Sequence, residues 1–332
     1  MSSIYLDDAP GQIEYVYSAE ARARLSALSG IDGRVYTKSE VLASPEKFRT
    51  VRFIFTTWGF PAFTADEIKT VFPALECVFY AAGSVQYFAK PFLECGVRVF
   101  SAWAANGVPV AEYTAAQIIL AGKGFLPLMR GYSSGELATF EKRTGYPGNY
   151  GGSVGIIGAG MIGRLVIEKL RANRLNLLVF DPFLPDETAS GLGVRKCSLE
   201  ELFGECQVVS NHLANNEQTR GMLGYELFRR MRPNAAFINT GRGAQVIEDD
   251  LVRILTERPD ITALLDVTIA EPLPSGHPFY ALPNCFLTPH IAGSLGDEVH
   301  RLAEFMLDEY ELYAAGKPCR YEVTERMLGT MA

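Results

Sequence analysis

The sequence predicts an α/β fold with two doubly wound parallel sheets, and three observations carry that expectation. Apolar runs rich in β-branched and aromatic residues alternate with helical stretches in both halves of the chain. A glycine-rich loop directly follows the strand-like run VGII. The length, 332 residues, suits about two domains of ordinary size.

In the first half the strand-like runs are RFIFTT from Arg52, LECVFY over 75–80 and VRVF over 97–100. The crossover helices between them are expected at Thr64–Phe72 and Val85–Leu93, the second interrupted by Pro91. PVAEYTAAQIILAGKGFLPLM, from Pro109 to Met129, reads as one long apolar helix that needs burial against another domain or subunit. RGYSSGELATFEKRTGYPGNYGG then reads as loop with at most one short helix. From Ser153 the runs SVGIIG, LNLLVFD to Asp181, CQVVSNH to His212, AAFINT to Thr240, ITALLDV to Val267 and CFLTPH to His290 alternate with helices or turns. Such a series describes a doubly wound parallel sheet. An amphipathic helix starts near Leu295, and Gly316 and Pro318 mark its end.

Composition sets the bounds. Hydrophobic residues at 48% and charged residues at 21%, with 31 Gly and 18 Pro, exclude disordered, collagenous and coiled-coil classes. Lys and Arg number 31 against 38 acids, and the resulting −7 gives no general attraction to phosphate backbones or anionic lipid. No nucleic-acid and no membrane partner is therefore expected. Cys77, Cys95, Cys197, Cys206, Cys285 and Cys319 are widely spaced without a CxxC pair or other metal-ligand spacing, so no metal site is expected and a cytoplasmic, reducing location fits. MSSIYLDDAP meets acids before any long apolar run, and no stretch of about 18 uninterrupted apolar residues follows, which argues against export or insertion.

The glycine loop is Gly158-Ala159-Gly160-Met161-Ile162-Gly163. Gly158 permits a tight turn, Gly160 lets a pyrophosphate approach the backbone, and Gly163 lets helix and strand pack closely. The helix opening at Met161 and Ile162 offers unpaired amides to phosphate oxygens. Eighteen residues past Gly163 stands Asp181, a suitable acceptor for adenosine ribose hydroxyls that disfavours the extra phosphate of NADP. A Rossmann-like nucleotide-binding domain with NAD as cofactor follows.

Three polar residues fall in turns or strand ends of the same half: Arg242 in NTGRGA, Glu271 in DVTIAEPLP and His290 in LTPHIAG. Strand carboxyl ends are where open α/β sheets place ligands, so these distant residues can converge. With these motifs the chain resembles the D-isomer-specific 2-hydroxyacid dehydrogenase family, through the glycine loop, NTGRG, DVxxxEP and TPHIAG in order, and more loosely through YAAGSV at 80–85 and PVAEY at 109–113.

The resemblance implies a flavodoxin-like, discontinuous substrate-binding domain (1–104 plus 296–332), an NAD-binding domain at 105–295, a cleft, and a homodimer formed through the NAD-binding domain. It implies Arg242, Glu271 and His290 as catalytic residues. Gly83, Ser84 and Val85, with Arg242 and His290, would hold the substrate carboxylate and carbonyl. Cofactor contacts would come from Gly158, Gly160, Met161, Ile162, Gly163, Asp181, His212, Thr240, Asp266 and Gly293, with Asp266 near the nicotinamide carboxamide. His212, where NHLANNEQTR departs from the family's HLP pattern, admits either a place beside the cofactor or a structural role. The implied activity is interconversion of a small 2-keto acid and its D-2-hydroxy acid, with a glyoxylate- or hydroxypyruvate-like substrate; the alternative is a dinucleotide-sensing, corepressor-like interaction protein. The chemistry suits the residue types: His290 can exchange a proton with the carbonyl oxygen, Glu271 can orient the imidazole, and Arg242 can grip a carboxylate with a fixed fork of donors. His277 and His300 read as loop and helix-surface residues, and Arg98 as structural.

Overall fold

The computed structural model describes residues 2–135 and 140–328. The chain forms two compact units, one from Met1–Asn106 with Ser294–Ala332, the other from Gly107–Gly293.

In the first unit, β1 (Ser3–Leu6), β2 (Val35–Tyr36), β3 (Phe53–Thr56), β4 (Cys77–Tyr80) and β5 (Arg98–Ser101) lie in the order β2-β1-β3-β4-β5, all parallel. That is the flavodoxin-like order. The late strand Glu322–Val323 adds antiparallel to β5, so residues from both ends of the chain share one sheet. Arg98 and Glu322 clasp that edge with two hydrogen bonds of 2.7 and 2.6 Å. Alternation along the strands feeds two cores: Ile4, Ile54, Val78 and Val99 face one side, and Tyr5, Phe55, Phe79 and Phe100 the other. Phe55, Phe79 and Phe100 stack in a row at 5.0 and 4.9 Å across adjacent strands, and Tyr310 of helix His300–Ala314 meets Phe55 and Phe79 edge-on. Such pairs contribute about 0.5–1.5 kcal/mol each beyond their burial.

Several boundaries differ from expectation for local reasons. The helix expected at Thr64–Phe72 spans Ala65–Val71, because Thr64 and Glu67 form a capping box at its start. The helix expected from Val85 begins only at Ala89, which puts Pro91 in the first turn, where no amide donor is needed. The single helix expected over 109–129 is two, Trp103–Gly122 and Phe125–Ser133. Gly124 breaks it with φ +63°, and a Cβ there would stand 2.4 Å from the Tyr146 ring. At the front, Ala105 is fully buried, and packing carries the helix through Pro109. Of the loop expected over 130–152, residues 136–139 lie outside the described residues, Phe140–Thr144 is a short helix, and the strand expected from Ser153 starts at Tyr150. The last helix is led in by a 3-10 turn, Gly296–Val299.

In the second unit, β6 (Tyr150–Ile157), β7 (Arg174–Phe180), β8 (Arg195–Lys196), β9 (Val208–Asn211), β10 (Ala236–Asn239), β11 (Thr262–Leu265) and β12 (Cys285–Leu287) lie in the order β12-β11-β10-β9-β6-β7-β8, all parallel. Both faces are covered, which explains the near-continuous apolar strands: Phe237 faces one core, and Ala236 and Ile238 the other. Strand order reverses between β6 and β9, the switch point where such sheets open a crevice at their carboxyl ends. The strands end one to three residues earlier than the sequence suggests, so Asp181, His212, Thr240, Asp266 and His290 all stand just past strand ends. There the backbone leaves the ladder and side chains are free to converge. Among the described residues no helix is long and apolar enough to cross a membrane, and no group of His, Cys, Asp or Glu could hold a metal ion.

Candidate active site

The glycine loop joins β6 to helix Met161–Leu170 at the switch point. Gly158 has φ +87°, and a Cβ on it would lie 2.8 Å from the His212 carbonyl oxygen. A Cβ on Gly163 would lie 2.0 Å from the Gly158 carbonyl oxygen, so only glycine allows this helix to close on its strand. Around Gly160 nothing lies within 4 Å of such a Cβ. The cradle is therefore tight where the fold must pack and open where a phosphate would approach. Asp181 caps the loop: its Oδ2 accepts from Ala159 N at 2.7 Å and its Oδ1 from Phe183 N at 2.8 Å. Across the switch point, His212 Nε2 meets Ser210 Oγ at 2.9 Å, while its buried Nδ1 has no partner among the described residues. Burial lowers the His212 pKa to about 4, so the ring is neutral at physiological pH. An open glycine cradle, a helix start and an orphaned buried nitrogen fit a dinucleotide.

His290 and Glu271 meet through Nδ1 and Oε2 at 2.6 Å, both side chains nearly half exposed. Glu271 Oε1 also accepts from Thr268 N at 3.2 Å, which fixes the carboxylate on its own loop. His290 has φ +54°, a left-handed conformation that costs a residue with a Cβ about 1–2 kcal/mol. Its loop is held by Asp266, which is 3% exposed. Asp266 Oδ1 accepts from Thr288 Oγ1 at 2.6 Å and Ile291 N at 2.9 Å, and Oδ2 accepts from Ala292 N at 2.9 Å. Tyr113 on helix Trp103–Gly122 extends the chain through Thr288 Oγ1 at 3.0 Å.

Arg242 follows β10 by three residues, and its Nη1 donates to the Gly241 carbonyl at 2.8 Å. Burial pulls its pKa below the ordinary arginine value, and the charge of Glu271 opposes that shift. The Arg242 and Glu271 loops touch: a Cβ on Gly243 would lie 2.0 Å from the Thr268 carbonyl carbon and 2.3 Å from Ile269 N. A guanidinium, an imidazole and the carboxylate bonded to that imidazole therefore share one rim with the glycine cradle.

Thr240 lies on the same rim, bonded through its hydroxyl to Thr114 at 3.0 Å, and Gly293 closes the His290 loop. Gly83, Ser84 and Val85 belong to the first unit, in the loop after β4, where the Gly83 carbonyl accepts from Ser101 Oγ at 2.7 Å. Sequence reasoning missed Glu248, which accepts from Ile269 N at 2.7 Å and faces His277 Nε2 at 3.7 Å. It also missed the amides Asn211, Asn239 and Gln245. No local motif marks either set, although Asn239 opens NTGRG.

The family model of the D-isomer specific 2-hydroxyacid dehydrogenase NAD-binding domain matches residues 116–292. Among curated proteins, the chain is 37% identical over 142 residues to glyoxylate/hydroxypyruvate reductase A of Serratia proteamaculans (strain 568), covering 42% of this chain and 45% of the relative. It is 33% identical over 168 residues to glyoxylate reductase of Korarchaeum cryptofilum (strain OPF8), 51% of each chain. Against D-3-phosphoglycerate dehydrogenase of Bacillus subtilis (strain 168) it is 30% identical over 228 residues, 67% of this chain and 42% of the relative. The chain spans about half the length of the curated relatives it matches. Among solved structures, the TT0316 protein from Thermus thermophilus superposes with a TM-score of 0.74 at 25% identity, covering 98% of this chain and 100% of that one. A phosphoglycerate oxidoreductase from Rhizobium etli shares the fold with a TM-score of 0.81 at 24% identity over 98% of each chain.

Proposed function

The chain belongs to the D-isomer-specific 2-hydroxyacid dehydrogenase family through its NAD-binding domain, and from that premise we propose that it is an NAD-dependent oxidoreductase interconverting a small 2-keto acid and its D-2-hydroxy acid. Glyoxylate or hydroxypyruvate is the substrate class we favour, on the likeness to the Serratia and Korarchaeum proteins. The observation that carries the reading is the 2.6 Å bond between His290 Nδ1 and Glu271, made beside the partly buried Arg242.

A nicotinamide held there would supply the hydride that reduces C2 of the keto acid. His290, held through Nδ1, gives a proton from Nε2 to the carbonyl oxygen and takes it back in the oxidative direction. Glu271 fixes the ring and balances the imidazolium charge. Arg242 binds the carboxylate and polarises the carbonyl; burial strengthens its field at the reacting oxygen. NAD would be held by the amides of Gly158–Gly163 at its pyrophosphate and by Asp181 at the adenosine ribose. His212, Thr240, Asp266 and Gly293 would stand at the nicotinamide end. The Asp181 carboxylate leaves no compensating charge for a 2′-phosphate, which supports NAD over NADP.

The same unit carries the surface on which we place a homodimer contact. Phe125, Met129 and Tyr132 are exposed at successive turns of one helix, with exposed Leu120 on the helix before it.

The test is a panel of 2-keto acids with NADH and NADPH, for the natural chain and His290→Ala. Turnover with NADH above NADPH is expected, and the variant should lose turnover by at least about a hundredfold while binding NADH as before. NADH binding without turnover across the panel would favour the interaction-protein alternative and end the enzyme reading. Equal or better efficiency with NADPH would overturn the NAD assignment.

A further inference from the structure

We propose that the buried amides of Asn211, Asn239 and Gln245 form a lock that positions Arg242 and registers it against the His212–Leu213 segment beside the glycine loop. The inference rests on the reading of Arg242 as the carboxylate clamp.

The three residues come from the end of β9, the end of β10 and the 3-10 turn Gly243–Gln245, and they are 0%, 1% and 0% exposed. Asn211 Nδ2 donates to Asn239 Oδ1 at 3.0 Å and to Gln245 Oε1 at 2.6 Å. Two of the amides then hold the Arg242 backbone from both sides. Its N–H donates to Gln245 Oε1 at 3.1 Å, and its carbonyl accepts from Asn239 Nδ2 at 3.2 Å. Two grip Leu213 in the same way: its N–H donates to Asn211 Oδ1 at 3.2 Å, and its carbonyl accepts from Gln245 Nε2 at 2.7 Å. Asn239 Oδ1 also takes the Gly241 N–H at 3.1 Å.

The pattern admits one arrangement. Turning the Asn211 amide over would set its oxygen against Asn239 Oδ1 and Gln245 Oε1, and turning Gln245 would set its NH2 against two donors. A buried network in which every amide nitrogen and oxygen has a partner is rigid, because any shift leaves several polar groups unpaired in a low dielectric. Glycine makes room for it: a Cβ on Gly241 would lie 2.8 Å from Gln245 Oε1 and 3.0 Å from Asn211 Nδ2. The far end of the lock abuts the cofactor cradle, since a Cβ on Gly158 would lie 3.2 Å from Leu213 N. Asn211, Asn239 and Gln245 are thus positioning residues; they set where the guanidinium stands relative to the cradle without belonging to the chemistry.

The test uses the full chain and three variants, Arg242→Ala, Gln245→Leu and Gln245→Glu. They are read by kcat and KM for glyoxylate or the keto acid turned over best, by NADH affinity from fluorescence, and by hydrogen exchange of the ligand-free protein. Gln245→Leu should raise KM about tenfold or more and speed exchange at the Arg242 and Leu213 amides, while NADH affinity changes less than about threefold. In Gln245→Glu the protonated carboxyl can still accept from Arg242 N–H and donate to the Leu213 carbonyl. KM should therefore stay near the natural value at low pH and climb as the introduced carboxyl ionises, a step absent from the natural chain. A merely structural role would lower stability without that pH-dependent KM. If Arg242→Ala raises KM and both Gln245 variants leave KM and exchange unchanged, the lock is wrong and the clamp stands. If Arg242→Ala leaves KM unchanged, the clamp is wrong, and exchange at Arg242 alone decides the lock: faster in Gln245→Leu upholds it, unchanged rejects it. Should Gln245→Leu fail to fold, the pH series of Gln245→Glu decides in its place.

Discussion

Asp266→Asn removes one acceptor from the side chain that pins the His290 loop, and its cost follows from the bonds it keeps and loses. The carboxylate takes three donors: Thr288 Oγ1 at 2.6 Å, Ile291 N at 2.9 Å and Ala292 N at 2.9 Å. An asparagine can keep its oxygen toward Thr288 and Ile291, but its NH2 then faces the Ala292 N–H, donor against donor. One charge-assisted bond is lost and a buried N–H is left unpaired, together about 2–4 kcal/mol. For a unit of this size each kcal/mol lowers the melting temperature by about 2–4 °C, so a fall of about 4–16 °C is expected. His290 holds its left-handed φ of +54° within that loop. A relaxed loop moves the imidazole off its bond with Glu271, and kcat should fall about tenfold or more. Thr288→Val removes one of the three donors and should show the same pair of effects at about 1 kcal/mol. Thermal denaturation and steady-state kinetics on the two variants read both numbers. A melting temperature within about 1 °C of the natural chain, with kcat intact in Asp266→Asn, would refute the pinning of the loop.

Two further predictions concern other parts of the second unit. Burial lowers the His212 pKa to about 4, whereas the unfolded chain takes that proton near 6.5. Between those values the unfolded state binds more protons, so the stability tied to the neutral ring is complete above about pH 6.5 and declines as pH falls toward about 4, by at most about 3 kcal/mol. His212→Asn should flatten that acid limb in denaturant titrations, and an unchanged slope would contradict it. For the apolar helix face, light scattering should give twice the chain mass for the natural protein and the single-chain mass for Phe125→Glu combined with Met129→Glu; a monomeric natural protein would end the dimer proposal.

What the sequence made legible was what neighbouring residues determine. The order of the strand-like runs in the second half carries through to β6, β7, β9, β10, β11 and β12, because strands buried on both faces write continuous apolar segments. The glycine loop was legible because Gly158 and Gly163 answer needs of backbone geometry that no other residue meets. β1 and β2 were not read, and β8 is only two residues long, too short for periodicity to register. The break at Gly124 depends on Tyr146, a residue 22 positions away, and no window over 109–129 contains it. Among the candidate site residues, Arg242, Glu271 and His290 stood out through adjoining glycine or proline, and the structure gathers them on one rim. The side chains that hold them were silent. Asn211 reaches Asn239 and Gln245 across 28 and 34 positions, and a buried amide has no signature in a sequence until its partner is known.

A parallel strand that ends leaves backbone donors without a ladder, and the loops carrying chemistry start where that happens. Here each loop meets the need with a side-chain acceptor, taken from its own turn or from elsewhere in the same unit. Asp266 takes the amides of Ile291 and Ala292, Glu248 that of Ile269, Asp181 those of Ala159 and Phe183, and Gln245 that of Arg242. Glu271 is itself bonded to His290. The acids at this rim are thus turned onto donors of their own chain. Arg242 is in the opposite position: its Nη1 donates only to the neutral Gly241 carbonyl, and it pairs with no carboxylate among the described residues. It feels the Glu271 carboxylate through space without forming an ion pair with it. A chain with a net charge of −7 can therefore hold a positive local field at this rim, because the field there is set by backbone amides and one partly buried guanidinium and not by the sum over the surface.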